Sequence, residues 1–279
     1  MLEKFRSFAQ GLDHPEGVAW GLDGRIYAGG EAGQVYRVGF DGEVDQVADT
    51  GGFLLGVTLD GAGRIYGCDL GRAEIVRVDA ASGKVETYSS GTPKQPARTP
   101  NWAVFDPDGV LYFTDSGEWK GDDGLVFRVA PDGETSVWTT EPHRFPNGCA
   151  LSPSGDALYI VESTLPGITR IPIRDDGSAG ALEVFVNLPG TVPDGVAFDA
   201  DGNLYVACYR PDRIYRVTPE GKTDVLAEDP QGVVLAVPTN IAFAGENLDR
   251  LVVASLGRWH LTVGDIGAAG APLNYPQVA

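Results

Sequence analysis

Gly63-Arg64-Ile65-Tyr66 closes a phrase, Asp-x-x-Gly-x-(Ile/Leu)-Tyr, that runs through the whole chain. The phrase or a near variant returns at Gly24-Arg25-Ile26-Tyr27, Gly109-Val110-Leu111-Tyr112 and Gly202-Asn203-Leu204-Tyr205. A copy one residue longer is Gly155-Asp156-Ala157-Leu158-Tyr159. The glycines are 39, 46, 46 and 47 residues apart, and Leu248-Asp249-Arg250-Leu251-Val252 is a degenerate sixth copy. A second phrase follows each first one: Val35-Tyr36-Arg37-Val38, Ile75-Val76-Arg77-Val78, Val126-Phe127-Arg128-Val129, Ile168-Thr169-Arg170-Ile171 and Ile214-Tyr215-Arg216-Val217. The sixth, His260-Leu261-Thr262-Val263, lacks the arginine. Turns such as Asp41-Gly42, Asp132-Gly133 and Glu220-Gly221 come next, then a further β-rich run such as Thr135 to Trp138.

Each unit therefore holds four short strands separated by Gly/Asp turns, which is hairpin chemistry. A four-stranded unit repeated about every 45 residues is the pattern of a β-propeller. Six units account for all 279 residues. The expectation is an all-β, six-bladed β-propeller with four-stranded antiparallel blades, formed by residues 1–279 as a single domain. The run Glu3 to Ala9 reads as a fourth strand without its own unit, and the last unit lacks one. The N-terminal strand should therefore close the last blade and hide its edge. The repeated arginines alternate with apolar residues, so they are expected to face between blades and pair with turn carboxylates.

Composition agrees and removes other classes. One residue in five is Gly (38) or Pro (19), too many for a helical bundle. Hydrophobic residues make up 43% of the chain, enough for a large core. Lys+Arg number 21 against 39 Asp+Glu, a net charge of -18. Binding to nucleic acid or to an anionic membrane surface is disfavoured, because both rest on basic residues. Most of this acidity is expected to be solvated surface. No apolar run reaches the ~18 residues that span a bilayer, and the first residues have no signal-peptide core. Cys68, Cys149 and Cys208 are widely spaced and odd in number, fitting unpaired thiols rather than a disulfide framework. A cytoplasmic monomer is the expectation.

The chemistry is expected where the repeat breaks. The six units begin Pro15-Glu16-Gly17, Leu54-Leu55-Gly56, Pro100-Asn101-Trp102, Pro146-Asn147-Gly148, Pro193-Asp194-Gly195 and Pro238-Thr239-Asn240. The first strand of a propeller blade lines the central axis. The second residues, Glu16, Leu55, Asn101, Asn147, Asp194 and Thr239, therefore form a column aimed at one point. Taken singly, Asn, Asp and Gly after Pro are ordinary turn formers. Together, two carboxylates and two carboxamides converge, and the carboxylates repel unless a cation lies between them. Such oxygens suit a hard divalent ion, and no Cys or His stands in the column for a closed zinc site. The following glycines let backbones crowd the axis. Leu55 and Thr239 are expected to be bystanders. The chain has no GxSxG elbow, and His14, His143 and His260 form no evident catalytic pair. Asp122-Asp123-Gly124 lacks the spacing of a calcium loop and reads as a turn.

The segments His14-Pro15-Glu16-Gly17, Pro100-Asn101-Trp102, Tyr112-Phe113-Thr114-Asp115, Phe145-Pro146-Asn147-Gly148 and Val192-Pro193-Asp194-Gly195-Val196-Ala197 resemble the SMP-30/gluconolactonase/LRE-like family of six-bladed propeller lactonases. The resemblance covers nearly the whole chain. It implies that Glu16, Asn147 and Asp194 ligate one divalent cation (Ca, Zn, Mg, Mn or Fe(II)) and that Asp194 doubles as general base. Asn101 would contact a small-molecule lactone, a sugar lactone such as gluconolactone or a pentonolactone. Glu118 falls where the family often places a polar substrate contact. Arg98 lies three residues before Asn101; well-known members carry a substrate-binding Arg two before, where this chain has Thr99. Trp102 implies a less polar pocket. Two alternatives stand beside this reading: a strictosidine-synthase-like, metal-independent enzyme, and a non-catalytic calcium- or ligand-binding propeller.

Overall fold

The computed structural model describes residues 1–278. After a short 3-10 turn at Leu2–Lys4, every regular element is a strand. Blade 1 is β2 (Val18–Trp20), β3 (Ile26–Gly29), β4 (Gln34–Val38) and β5 (Val44–Asp49). Blade 2 is β6 (Leu54–Leu59), β7 (Ile65–Asp69), β8 (Glu74–Asp79) and β9 (Lys84–Ser89). Blade 3 is β10 (Pro100–Phe105), β11 (Leu111–Asp115), β12 (Leu125–Val129) and β13 (Thr135–Thr139). Blade 4 is β14 (Pro146–Leu151), β15 (Ala157–Glu162), β16 (Gly167–Pro172) and β17 (Glu183–Asn187). Blade 5 is β18 (Val192–Phe198), β19 (Leu204–Arg210), β20 (Arg213–Val217) and β21 (Thr223–Glu228). Blade 6 is β22 (Pro238–Ala244), β23 (Arg250–Ser255) and β24 (His260–Gly264), completed by β1 (Phe5–Gln10) from the N-terminus. This is the expected six-bladed propeller, closed as expected: β1 pairs antiparallel with β24, Phe5 opposite Gly264 and Phe8 opposite Leu261.

The repeated phrase has a physical cause. Gly24, Gly63, Gly109, Gly155 and Gly202 all have φ between 75° and 89°, the left-handed region that a side chain disfavours. In three copies an aspartate three residues earlier, Asp60, Asp106 or Asp199, caps the same turn. Asp60 Oδ1 accepts from the Ala62 and Arg64 amides, both at 2.9 Å, and Asp199 Oδ1 from those of Asp201 and Asn203 at 3.0 and 2.8 Å. The tyrosine hydroxyl returns to the same side chain: Tyr66 donates to Asp60 at 3.0 Å and Tyr205 to Asp199 at 3.1 Å.

The arginine partners differ from expectation. Arg37, Arg77, Arg170 and Arg216 pair with Asp45, Glu86, Glu183 and Asp224 at 3.1–3.2 Å. Those carboxylates sit on the fourth strand directly opposite, rather than in the turns. The period-2 alternation that aims the arginine also aims its cross-strand neighbour, so the ladder supplies the partner. Most of the acidic residues lie at the surface, as expected, with a minority inside the fold. Asp60, Asp69, Asp115, Glu162, Asp199 and Asp229 are buried, and most of them accept backbone amides of loops.

The innermost strands β2, β6, β10, β14, β18 and β22 pack blade against blade around the axis. Below the blade starts they line an apolar chamber of about 230 Å³, with Val18, Val57, Trp102, Cys149, Val196 and Ile241 in its wall. The C-terminal segment crosses the far end. Ala271 N donates to Phe198 O at 3.0 Å, Asn274 Nδ2 to Phe105 O at 3.0 Å, and the Tyr275 hydroxyl to Trp20 O at 2.6 Å. Blades 5, 3 and 1 are thereby strapped together beneath the chamber. The thiols of Cys68, Cys149 and Cys208 are free and buried, and burial pushes them up, Cys208 to about 12. Among the described residues no helix is long and apolar enough to cross a membrane.

Candidate metal and active site

Five innermost strands share one irregularity at the column residue. Pro100 pairs with Asp115 and Ala103 with Phe113, so three steps on β10 oppose two on β11. The same extra residue occurs between Leu54 and Val57, Pro146 and Cys149, Pro193 and Val196, and Pro238 and Ile241. A bulge frees two residues from the ladder and re-aims their side chains. Asn101, Asn147 and Asp194 are first in their bulges, and Glu16 stands two residues before β2. Glu16, Asn101, Asn147 and Asp194 are 4–6% exposed.

The glycine after the column residue is required where blades touch. A Cβ at Gly17 would lie 2.0 Å from Leu55 O, and one at Gly148 would lie 2.5 Å from Asp194 O. The crowding read from the sequence is therefore real, and only glycine permits it.

Two serines orient the carboxamides. Asn101 Nδ2 donates to Ser116 Oγ at 2.9 Å, and Ser116 donates onward to Pro146 O at 2.7 Å. Asn147 Nδ2 donates to Ser163 Oγ at 3.2 Å, and Ser163 donates to Pro193 O at 2.7 Å. Each serine so grips the amide nitrogen of its own blade and the backbone of the next. The oxygens are left over: the amide Oδ1 atoms of Asn101, Asn147 and Asn240 and the carboxylate Oδ1 of Asp194 are buried without a hydrogen-bond partner. A buried unpaired acceptor costs about 1–3 kcal/mol, so four around one axis mark a place built to receive something. Electrostatics agree. Burial raises Glu16 to about 8, against the opposing Asn240 hydrogen bond. Burial, then the charge of Glu16, push Asp194 well above its usual range, while Asn147 opposes. Two buried carboxylates destabilised in their charged forms, beside orphaned neutral oxygens, fit a hard divalent cation.

The other candidate residues are dispersed. Arg98 lies in the loop before β10, its guanidinium donating to the Asp123 carboxylate at 2.8 Å and its backbone N to Asp115 at 2.6 Å. Glu118 is exposed in the β11–β12 loop, which Asp123 also ties down by accepting from the Glu118 N at 3.0 Å. Trp102 is 7% exposed and packs with Cys149, Leu151, Leu158 and Ile160, in the wall of the chamber below the polar layer. Leu55 is the one apolar member of the column. Thr239 donates to Glu16 O at 2.7 Å, clamping blade 6 to blade 1. His143 is held by Glu141 O, and His260 is buried on β24, where burial lowers its pKa.

Asp13, His14 and Glu31 form a second cluster, with ligand atoms within 4.8 Å of one another. Its groups are already paired: His14 Nδ1 lies 3.1 Å from both carboxylates, and Asp13 accepts from Ala32 N and from Gln34 Nε2. All three are part-exposed, so neither desolvation nor an orphaned acceptor calls for an ion there. Sequence reasoning missed Ser116, Ser163 and Asn240. A signal for the serines was present, since each follows an acid and stands four residues after a repeat tyrosine, Tyr112 or Tyr159.

Known proteins resemble the chain in sequence and in fold. Residues 14–257 match the model of the SMP-30/gluconolactonase/LRE-like region. Lactonase drp35 of Staphylococcus haemolyticus is 36% identical over 116 residues, 40% of this chain and 36% of that protein. The chain thus matches about a third of the length of such curated relatives. A gluconolactonase structure from Xanthomonas campestris superposes with TM-score 0.80 at 23% identity, covering 93% of this chain and 88% of that one. The calcium-binding protein regucalcin from Agrobacterium tumefaciens gives 0.77 at 18%, with 97% of each chain covered. With the family model spanning all six blade starts, the chain belongs to the SMP-30/gluconolactonase/LRE-like family.

Proposed function

We propose that the protein is a lactone hydrolase that uses one divalent cation held by Glu16, Asn147 and Asp194. The observation that carries this reading is the layer of buried, unpartnered oxygens beside two buried carboxylates. When bound, the cation supplies Lewis-acid polarisation of the lactone carbonyl. Asp194 accepts a proton from the water that adds to the carbonyl carbon. The ring C–O bond then breaks, and Asp194 returns the proton to the departing oxygen, giving the hydroxy acid. Asn101, its nitrogen held by Ser116, offers Oδ1 to a substrate hydroxyl, which fits a sugar lactone such as gluconolactone or a pentonolactone. Glu118 and Arg98 act from the loops around β10 and β11. Family membership and the relatives named lactonase support the reaction class. A metal-free, C–C bond-forming use of the axis is disfavoured, because it leaves the two buried carboxylates uncompensated. The free thiols suit a reducing cytoplasm.

The test is hydrolysis of a lactone panel by protein stripped with chelator and then given each cation singly. Activity lost on stripping and restored by a cation supports the reading. Hydrolysis that survives exhaustive stripping overturns the metal, and cation binding without hydrolysis of any lactone overturns the activity.

A further inference from the structure

We propose that Asn240 is a positioning residue of the axial site, holding the Glu16 carboxylate against the blade that carries Asp194. The inference rests on the reading of Glu16 as a cation ligand. Asn240 is the second residue of the β22 bulge. The corresponding places in four other blades are Gly17, Gly56, Gly148 and Gly195, and in blade 3 Trp102. Blade 6 alone puts a polar side chain there.

That side chain is completely buried, and its Nδ2 donates to Glu16 Oε2 at 3.3 Å. On its other side it abuts blade 5: a Cβ at residue 195 would lie 2.0 Å from Asn240 Oδ1 and 2.7 Å from its Cγ. Gly195 therefore clears the space in which this amide sits. One carboxamide thus spans from the Glu16 carboxylate to the backbone next to Asp194. Ring closure does not need it. Thr239 already clamps blade 6 to the Glu16 carbonyl, and β1 completes the blade. The bond to Glu16 Oε2 is a separate contact to a side chain that the fold does not use, and Oδ1 remains unpartnered.

Partners that orient a ligating carboxylate are worth about 10- to 100-fold in metal affinity. The chemistry explains the residue type. An amide donates to Glu16 without adding a third negative charge to the layer, as an aspartate would.

The experiment compares wild type with Asn240→Ala and with Asn240→Ser, whose hydroxyl is too short to span to Glu16. Affinity for Ca²⁺ and for Zn²⁺ alone is measured by competition with a chromophoric chelator. Thermal unfolding is followed separately in excess chelator. The expected result is cation affinity lowered about 10- to 100-fold in both variants, with the melting temperature in chelator unchanged or raised. Unchanged affinity overturns the proposal. So does a loss of affinity matched by an equal loss of stability in chelator, which is what a purely structural asparagine predicts. Wild type that binds neither cation overturns the metal reading itself, and this inference with it.

Discussion

Ser163 holds the carboxamide of Asn147 and the backbone of the next blade through one hydroxyl, accepting from Asn147 Nδ2 at 3.2 Å and donating to Pro193 O at 2.7 Å. Because the nitrogen is taken, the oxygen is what faces the axis. Ser116 repeats the arrangement for Asn101 and Pro146. Ser163→Ala should free the Asn147 amide to rotate and remove the clamp on the blade that carries Asp194. The expected cost is about 1–3 kcal/mol of stability and about a tenfold loss of cation affinity. Denaturant unfolding in chelator and calorimetric cation titration measure the two; full affinity in the variant would show that the serine does not orient the ligand.

Asp194 and Asn101 should separate by phenotype. Asp194→Ala removes a ligand and the base together, so turnover should fall at least about a hundredfold and cation affinity with it. Asn101→Ala should lower kcat/KM while leaving cation affinity close to wild type. If Asn101→Ala loses the cation outright, Asn101 is itself a ligand and the division of roles is wrong.

The chelated protein should lose stability as pH rises. The folded-state value for Glu16 is about 8 against 4.5 for the free group. Between these values the folded chain binds more protons than the unfolded one. Stability is therefore greatest toward the acid end of this window and declines up to about pH 8. Asp194 is shifted the same way. In chelator, the melting temperature should fall more steeply from pH 5 to 8.5 in wild type than in Glu16→Gln. Added cation should flatten the wild-type curve. Equal slopes in the two proteins would contradict the assignment.

Removal of residues 1–10 should be severe. It strips β24 of the strand on its outer edge and takes away buried Phe5 and Phe8, at about 1.5–3 kcal/mol for each side chain. It also bares a strand edge that invites association. Melting temperature and light scattering are the measurements; a truncated protein as stable and as monodisperse as wild type would rule out the closure.

The fold was legible because its determinants are local. The left-handed glycines and the aspartates that cap them act within four residues, so they repeat visibly every 39 to 47 residues and count the blades. The column of Glu16, Asn101, Asn147 and Asp194 followed from that count, since one register in six copies must meet at the axis. Arg98 was less legible: its closeness to Asn101 in sequence hid that Asp123, 25 residues away, holds its guanidinium.

Residue type and spacing determined the ring, its closure by the N-terminal strand, and which oxygens could approach the axis. Which of those oxygens stay unpaired was decided only by tertiary structure. Ser116 and Ser163 reach backbone 30 residues ahead, and Asn240 reaches Glu16 across 224 residues. Such contacts exist only once the blades close, because hydrogen bonds act over about 3 Å. Closure brings these groups within that range, however far apart they lie along the chain.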